Sequence, residues 1–364
     1  MSFNLPPNRL LKLIEGNWKD VQYPATVIVQ VHLRPRDFFE PVKRDEARSC
    51  VPAGGKNFSS LFDANIGRMT LRGETMFPPL SVTFDINDGA WNVIFQGNCM
   101  QVTQAIESED DINSLLTNCE HTVPALLSVA TGLAIFCETL ELRVGDIVEA
   151  RSETLIPPNA VRIIKADARI EELKKGIQIV GVSSSSPRFT LASTYFREAL
   201  YFDAAYYEHN PYTHSLITIL KCAQAIEVLF GGQYDSIRKK CRRLGITEDV
   251  IESEIIRINV TRNELGSAHA SGFVPTPRQS EVLRHFARRA VHTVQQLLLL
   301  ISKSQITDHP YLIEKFQRDS KKETLLEKLH ESLQRPLWSI EGEVEVRHCL
   351  INDPRLRAST PIAE

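Results

Sequence analysis

A chain of 364 residues, 43% apolar and 24% charged, is long enough for about two domains of the usual 100–200 residues, each with its own core. A formal net charge of -3 excludes a protein coated with nucleic acid along its whole length, and seven scattered cysteines with no C-x-x-C spacing exclude a zinc ribbon and a disulfide framework. The charge is uneven: residues 188–303 hold 15 Lys/Arg against 11 Asp/Glu, so a modest basic excess falls on the C-terminal half.

The first residues, MSFNLPPNRLLKLIEG, lack the basic-then-apolar layout of a signal peptide, and a reduced cytoplasm is the expected compartment. Residues 21–33 alternate and are rich in Val, Ile and Thr, as a half-buried strand demands. Residues 78–98 read as two strands around a turn at Asn87-Asp88-Gly89, residues that tolerate positive φ. The spacing there does not fit a calcium loop, and VPAGGKN (51–57) lacks the spacing of a phosphate loop. Residues 111–135 read as helical. Their most apolar stretch, 122–137, contains Pro124 and Gly132 and is shorter than the ~20 residues a membrane span needs, so it reads as a buried helix and no membrane is expected. Residues 138–153 return to strand. Residues 1–180 thus predict a β-rich α+β domain, of unknown role. The stretch 171–187, with Ser183 to Ser186 ahead of Pro187, reads as a loop between domains.

Beyond it the period becomes helical. Five helices are predicted: 188–207, 212–230 closed by Gly231-Gly232, 234–244 stopped by Gly245, 247–265 opened by Thr247, and about 279–302. Such helices with short connections make an all-α bundle over residues 187–305. Residues 306–364 read as a helix near 320–335, a short hairpin at 337–350 and a disordered tail from Asp353. The predicted fold class is α+β, a β-rich N-terminal domain followed by a helical bundle.

The candidate site lies in TRNELGSAHASG, residues 261–272. Arg262 falls in the last turn of the fourth bundle helix if Gly266 caps it, and His269 follows. A histidine can take a proton from a hydroxyl near neutral pH, and an arginine offers a permanent planar charge to phosphate oxygens. The pair suffices for metal-free RNA cleavage, in which a ribose 2′-OH attacks the adjacent phosphate. Both side chains are expected to face a solvent-filled cleft. No H-x-x-x-H, paired-carboxylate motif or cysteine cluster suggests a catalytic ion, and no cofactor is expected. Glu227 lies among Ile226, Leu229 and Phe230. It is either a buried carboxylate needing a partner such as an arginine of the fourth helix, or a half-exposed glutamate near a helix end. Arg284, Arg288 and His292 fall at i, i+4 and i+8, a basic stripe that is either an RNA-backbone contact or a solvated face. The aromatic residues Tyr195, Phe196, Tyr201, Phe202, Tyr206 and Tyr207 recur at helical spacing and suit core or dimer packing better than base stacking.

An arginine and a histidine separated here by six residues, the first of them the polar Asn263, at a helix end in a small bundle, resemble the motif of the HEPN superfamily. ILKCAQAIEVLFGG (219–232) resembles the A-x-E-x-L-F signature of its Apea-like, abortive-infection branch. The resemblance covers residues 188–303. It implies a metal-independent endoribonuclease of toxin or phage-defence type, with Arg262 binding phosphate, His269 moving the proton and Asn263 orienting one of them. It also implies a homodimer with a composite site, RNA as substrate, and a partner or antitoxin protein. The same resemblance admits a catalytically silent scaffold that dimerises and binds a partner or nucleotide.

Overall fold

The computed structural model describes residues 21–34, 98–145, 147–152, 166–183, 186–204, 211–265, 276–304 and 309–314, Thr324, and the strand segments lying between residues 50 and 96. His269, the turn at Asn87–Gly89, and the helix, hairpin and tail expected beyond residue 320 (Thr324 apart) lie outside the described residues. The class is α+β. Val21–Lys315 form one compact unit, and the sequence boundary near residue 180 falls inside it.

Among the described residues ten strands form two antiparallel sheets. The larger has the order β10-β9-β1-β8-β7-β6, built from β1 (Ala25–Arg34), β6 (Ser81–Ile86), β7 (Trp91–Gln96), β8 (Cys99–Ile106), β9 (Phe136–Val144) and β10 (Ile147–Ser152). The smaller has the order β2-β3-β4-β5: Cys50–Pro52, Ser59–Asp63, Arg68–Leu71 and Glu74–Thr75. The period of two read from the sequence is the cause of the larger sheet's inner face. Val27, Val29, Val31 and Leu33 of β1 are fully buried, beside Val93 and Phe95 of β7 and Leu140 and Leu142 of β9. β6 and β7 pair from Ser81↔Gln96 to Ile86↔Trp91, so the two strands expected in 78–98 are neighbours.

The stretch read as one helix over 111–135 is three pieces: α1 (Glu109–Thr117), a π-helical turn (Asn118–Thr122) and α2 (Val123–Thr131). Asp111 Oδ2 accepts from the backbone N–H of Glu107 and of Ser108, each at 3.0 Å, which starts α1. The run holding Pro124 is α2. Its residues Val123 to Val129 are buried, and it packs against the π turn and the helices Ala166–Ser183 and Pro187–Ala204.

The loop expected at 171–187 is instead helical for most of its length: α3 spans Ala166–Ser183. Leu173, Ile177 and Val180 recur at helical spacing and are buried. Gly176 masked the pattern, and its role is a close approach, since a Cβ there would lie 2.7 Å from Leu127 Cδ2. Ser186 of the serine run caps the next helix. Its hydroxyl accepts from the N–H of Phe189 at 3.2 Å and donates to Leu312 O at 2.8 Å.

The bundle follows as α4 (Pro187–Ala204), α5 (Pro211–Phe230), α6 (Tyr234–Arg243), α7 (248–264), α8 (Pro277–Lys303) and the short α9 (Pro310–Ile313). α7 is α-helical over Glu248–Val250, π-helical over Ile251–Ile256, and α-helical again over Arg257–Glu264. By length and apolarity Tyr212–Phe230 could cross a bilayer, yet here it is the central helix. Ile219, Cys222, Ala223, Ile226, Leu229 and Phe230 are fully buried, and α4 and α8 pack on it. Among the aromatic residues of α4, Phe196 is core and Tyr201 meets Phe136 of β9 edge-on at 5.6 Å, the packing role expected of them.

Candidate functional site

α5 ends because Gly231, at φ 91°, turns left-handed and donates its N–H to Glu227 O at 2.7 Å. That geometry sets Glu227 in the last turn of α5, where its carboxylate meets α7. Arg262 Nη1 lies 2.7 Å from Glu227 Oε1, with the two side chains 16% and 27% exposed. The two readings of Glu227 therefore merge: it is part-exposed, and an arginine of the fourth bundle helix partners it. The fork of the same guanidinium, Nε and Nη2, donates to Asn263 Oδ1 at 3.1 and 3.0 Å. Asn263 Nδ2 in turn donates to Tyr234 Oη at 2.9 Å.

The expectation that Arg262 stands in a solvent-filled cleft is corrected by this arrangement. Its side chain is mostly covered and engaged on three of its nitrogens, because the carboxylate of α5 and the neighbouring amide draw the guanidinium across the helix surface. Asn263 is exposed and Tyr234 half-exposed, so the open side of the network is theirs. Asn259, one turn before Arg262, is 1% exposed, and neither atom of its amide has a hydrogen-bond partner.

The row of Arg284, Arg288 and His292 drifts by about 40° at each step, about 80° in all, because four residues overshoot the helical turn of 3.6. Arg284, 17% exposed, pairs with Glu281, and Arg288 lies 3.8 Å from Asp203 of α4. Burial pushes the Asp203 carboxyl up from its ordinary value, while Arg288 and Arg284 pull it down. His292, about 40° further round the helix than Arg288, stands at the edge of an exposed sector with Val282, His285, Arg289, Gln296 and Leu300.

That sector borders a groove of about 410 Å³ between α7 and α8, lined by Val250, Ile255, Leu297 and Leu300 and by the polar Arg289 and His292. Arg289 Nε donates to Glu254 Oε2 at 2.7 Å, and its Nη2 binds the other carboxylate oxygen. These hydrogen bonds hold the Glu254 carboxyl below its ordinary range against the opposing effect of burial.

Sequence reasoning missed Tyr234, Arg289 and Glu254. Tyr234 stands 29 residues from Asn263, and no spacing rule links them. Arg289 adjoins Arg288, and only the choice of 284 as the origin of the stripe passed it over. Cys119 and Cys222 are fully buried, and burial raises both thiols well above their ordinary value, which keeps them from the reactive thiolate form. Among the described residues no group of three or more His, Cys, Asp or Glu could hold a metal ion. No family model, no curated protein and no solved structure matches this chain.

Proposed function

We propose that the chain is a metal-independent endoribonuclease of the HEPN type, acting as a toxin or defence effector on RNA. The observation that carries this reading is the fixed orientation of Arg262. Asn263 holds its fork and Glu227, from α5, its third nitrogen, and Arg262 lies at the end of α7, from which the chain runs on towards His269. A guanidinium held in one orientation needs little reorganisation when charge develops on a phosphate. In the reaction a ribose 2′-oxygen bonds to phosphorus, its proton passes to His269, and the bond from phosphorus to the 5′-oxygen breaks. The leaving 5′-oxygen then takes up a proton, leaving a 2′,3′-cyclic phosphate and a 5′-hydroxyl. Two such sites facing each other in a homodimer would complete the machinery, and the exposed side of α8 would receive the RNA backbone.

A second reading is favoured by one specific observation. The charge of Arg262 is already matched by Glu227, as a purely structural ion pair would be. On that reading the bundle is a silent scaffold that dimerises and holds a partner protein or nucleotide.

The experiment is RNA cleavage by the purified full chain with excess EDTA, followed by identification of the product ends. Cyclic phosphates, lost in His269→Ala, are expected. Products uniformly bearing 3′-hydroxyls, or cleavage that His269→Ala leaves intact, would refute the mechanism. Absence of cleavage together with a dimer by light scattering would favour the scaffold.

A further inference from the structure

The direction of the hydrogen bonds around Arg262 leaves one donor without an acceptor. A guanidinium can only donate. The oxygen of the Asn263 amide must therefore face Arg262, where it accepts at 3.1 and 3.0 Å. That orientation turns the amide nitrogen towards Tyr234, and a bond in which nitrogen donates at 2.9 Å makes the phenol oxygen the acceptor. The proton of the Tyr234 hydroxyl then has to point elsewhere, and among the described residues no acceptor meets it. Tyr234 is the first residue of α6 and half-exposed, and the exposed Asn263 beside it leaves that side of the network open to solvent.

A neutral O–H donor one amide group away from a guanidinium suits a tetrahedral oxyanion, whose several oxygens can meet both groups at once. A cation would be repelled by Arg262, and an apolar ligand would leave the hydroxyl unsatisfied. We propose that the Tyr234 hydroxyl donates a hydrogen bond to a phosphate oxygen held beside Arg262, and is thus a substrate-contacting residue of the site. The identity of the substrate as RNA rests on the ribonuclease reading, whereas the donor chemistry is met by any phosphate.

The test separates the two claims by measuring phosphate binding and cleavage independently. Binding of inorganic phosphate to the full chain is followed by ³¹P NMR, and cleavage of an RNA by single-turnover kinetics. Tyr234→Phe removes only the hydroxyl, and loss of a hydrogen bond to a charged group corresponds to about a 10- to 100-fold weaker phosphate affinity. Because the same change also removes the acceptor for Asn263, a second variant carries 3-fluorotyrosine at position 234. It keeps the oxygen and sharpens the donor. Tighter phosphate binding by the fluorinated protein, with weaker binding by Tyr234→Phe, is the expected pair of results.

A merely structural tyrosine would give equal phosphate affinity in the wild type and the fluorinated protein, and that equality overturns the proposal. So does a wild type that binds no phosphate at all. Should phosphate binding follow the expected pattern while no RNA is cleaved, Tyr234 stands as an anion contact and the ribonuclease reading alone falls.

Discussion

Replacing Arg262 with alanine removes one partner of the ion pair that joins α7 to α5. A fully buried pair broken in this way costs about 3–5 kcal/mol, and an exposed pair at most about 1 kcal/mol. With side chains 16% and 27% exposed, the Arg262–Glu227 pair lies between these limits, at about 2 kcal/mol. For a unit this large that corresponds to a fall in Tm of roughly 3 °C. Glu227→Ala should cost somewhat less, since the long arginine can swing its charge to water. The double variant should then be more stable than the sum of the singles implies, by about 1 kcal/mol. The assay is thermal unfolding of the three variants beside RNA cleavage at 25 °C. A loss of about 2 kcal/mol from a typical reserve of 5–15 kcal/mol leaves almost every molecule folded at that temperature. A fall in cleavage of roughly 10²–10³-fold would therefore have to come from the chemistry. If instead the singles add to within about 0.5 kcal/mol, the two groups are not coupled and the stability reasoning is refuted. If residual activity merely tracks the folded fraction, Arg262 is structural and the scaffold reading takes over.

Glu254 gives a prediction in pH. Its carboxyl is lowered in the folded protein by Arg289, so the pair's contribution is fully present above the ordinary carboxylate value and is lost as pH falls through the lowered folded value. Arg289→Ala should flatten the acid limb of the stability curve in urea titrations, and an unchanged limb would show that the pair contributes nothing. Gly176→Leu should drive a side chain into Leu127 and lower Tm by several degrees, with an overpacking cost of about 1–3 kcal/mol; a wild-type Tm would mean that α2 and α3 are not closely packed there. Changing Arg289 and His292 together to alanine should weaken RNA binding and flatten its salt dependence more than changing Arg284 and Arg288, because the Arg289 side chain, although paired with Glu254, is 68% exposed against 17% for Arg284 and 43% for Arg288. Filter binding at several salt concentrations decides, and a larger effect from Arg284 and Arg288 would restore the row at 284, 288 and 292 as the contact.

Where one face of an element meets the core and the other meets water, the pattern was readable from the chain. The alternating valines of β1 and the bundle helices came out within a few residues of their ends. α3 was lost because Gly176 and the serine run mimic a linker, and only the close approach of Leu127 explains a glycine inside that helix. At the site, Arg262 and Asn263 were legible as a pair of residue types, and Glu227 was legible as a carboxylate with two possible fates. The actual exposure of Arg262 was not, because it depends on which side chain of another helix reaches it. Tyr234 joins through a hydrogen bond across 29 residues, a relation that no local pattern encodes.

The π-helical segment Ile251–Ile256 has a consequence for how this protein tolerates change in length. Bonds from i to i+5 make each turn there about one residue longer than in an α-helix, so the segment harbours roughly one surplus residue. In an ordinary helix, deleting one residue turns everything downstream by about 100° and scrambles the buried face. Here, removing one residue such as Glu252, at the loss of its ion pair with Arg238, would let the segment tighten into plain α-helix while Arg262 still met Glu227. Adding a residue at the same place would widen an already loose turn and swing the guanidinium off its carboxylate. The helix that carries the candidate site is thus asymmetric towards insertion and deletion: it can absorb a one-residue shortening that its neighbours cannot.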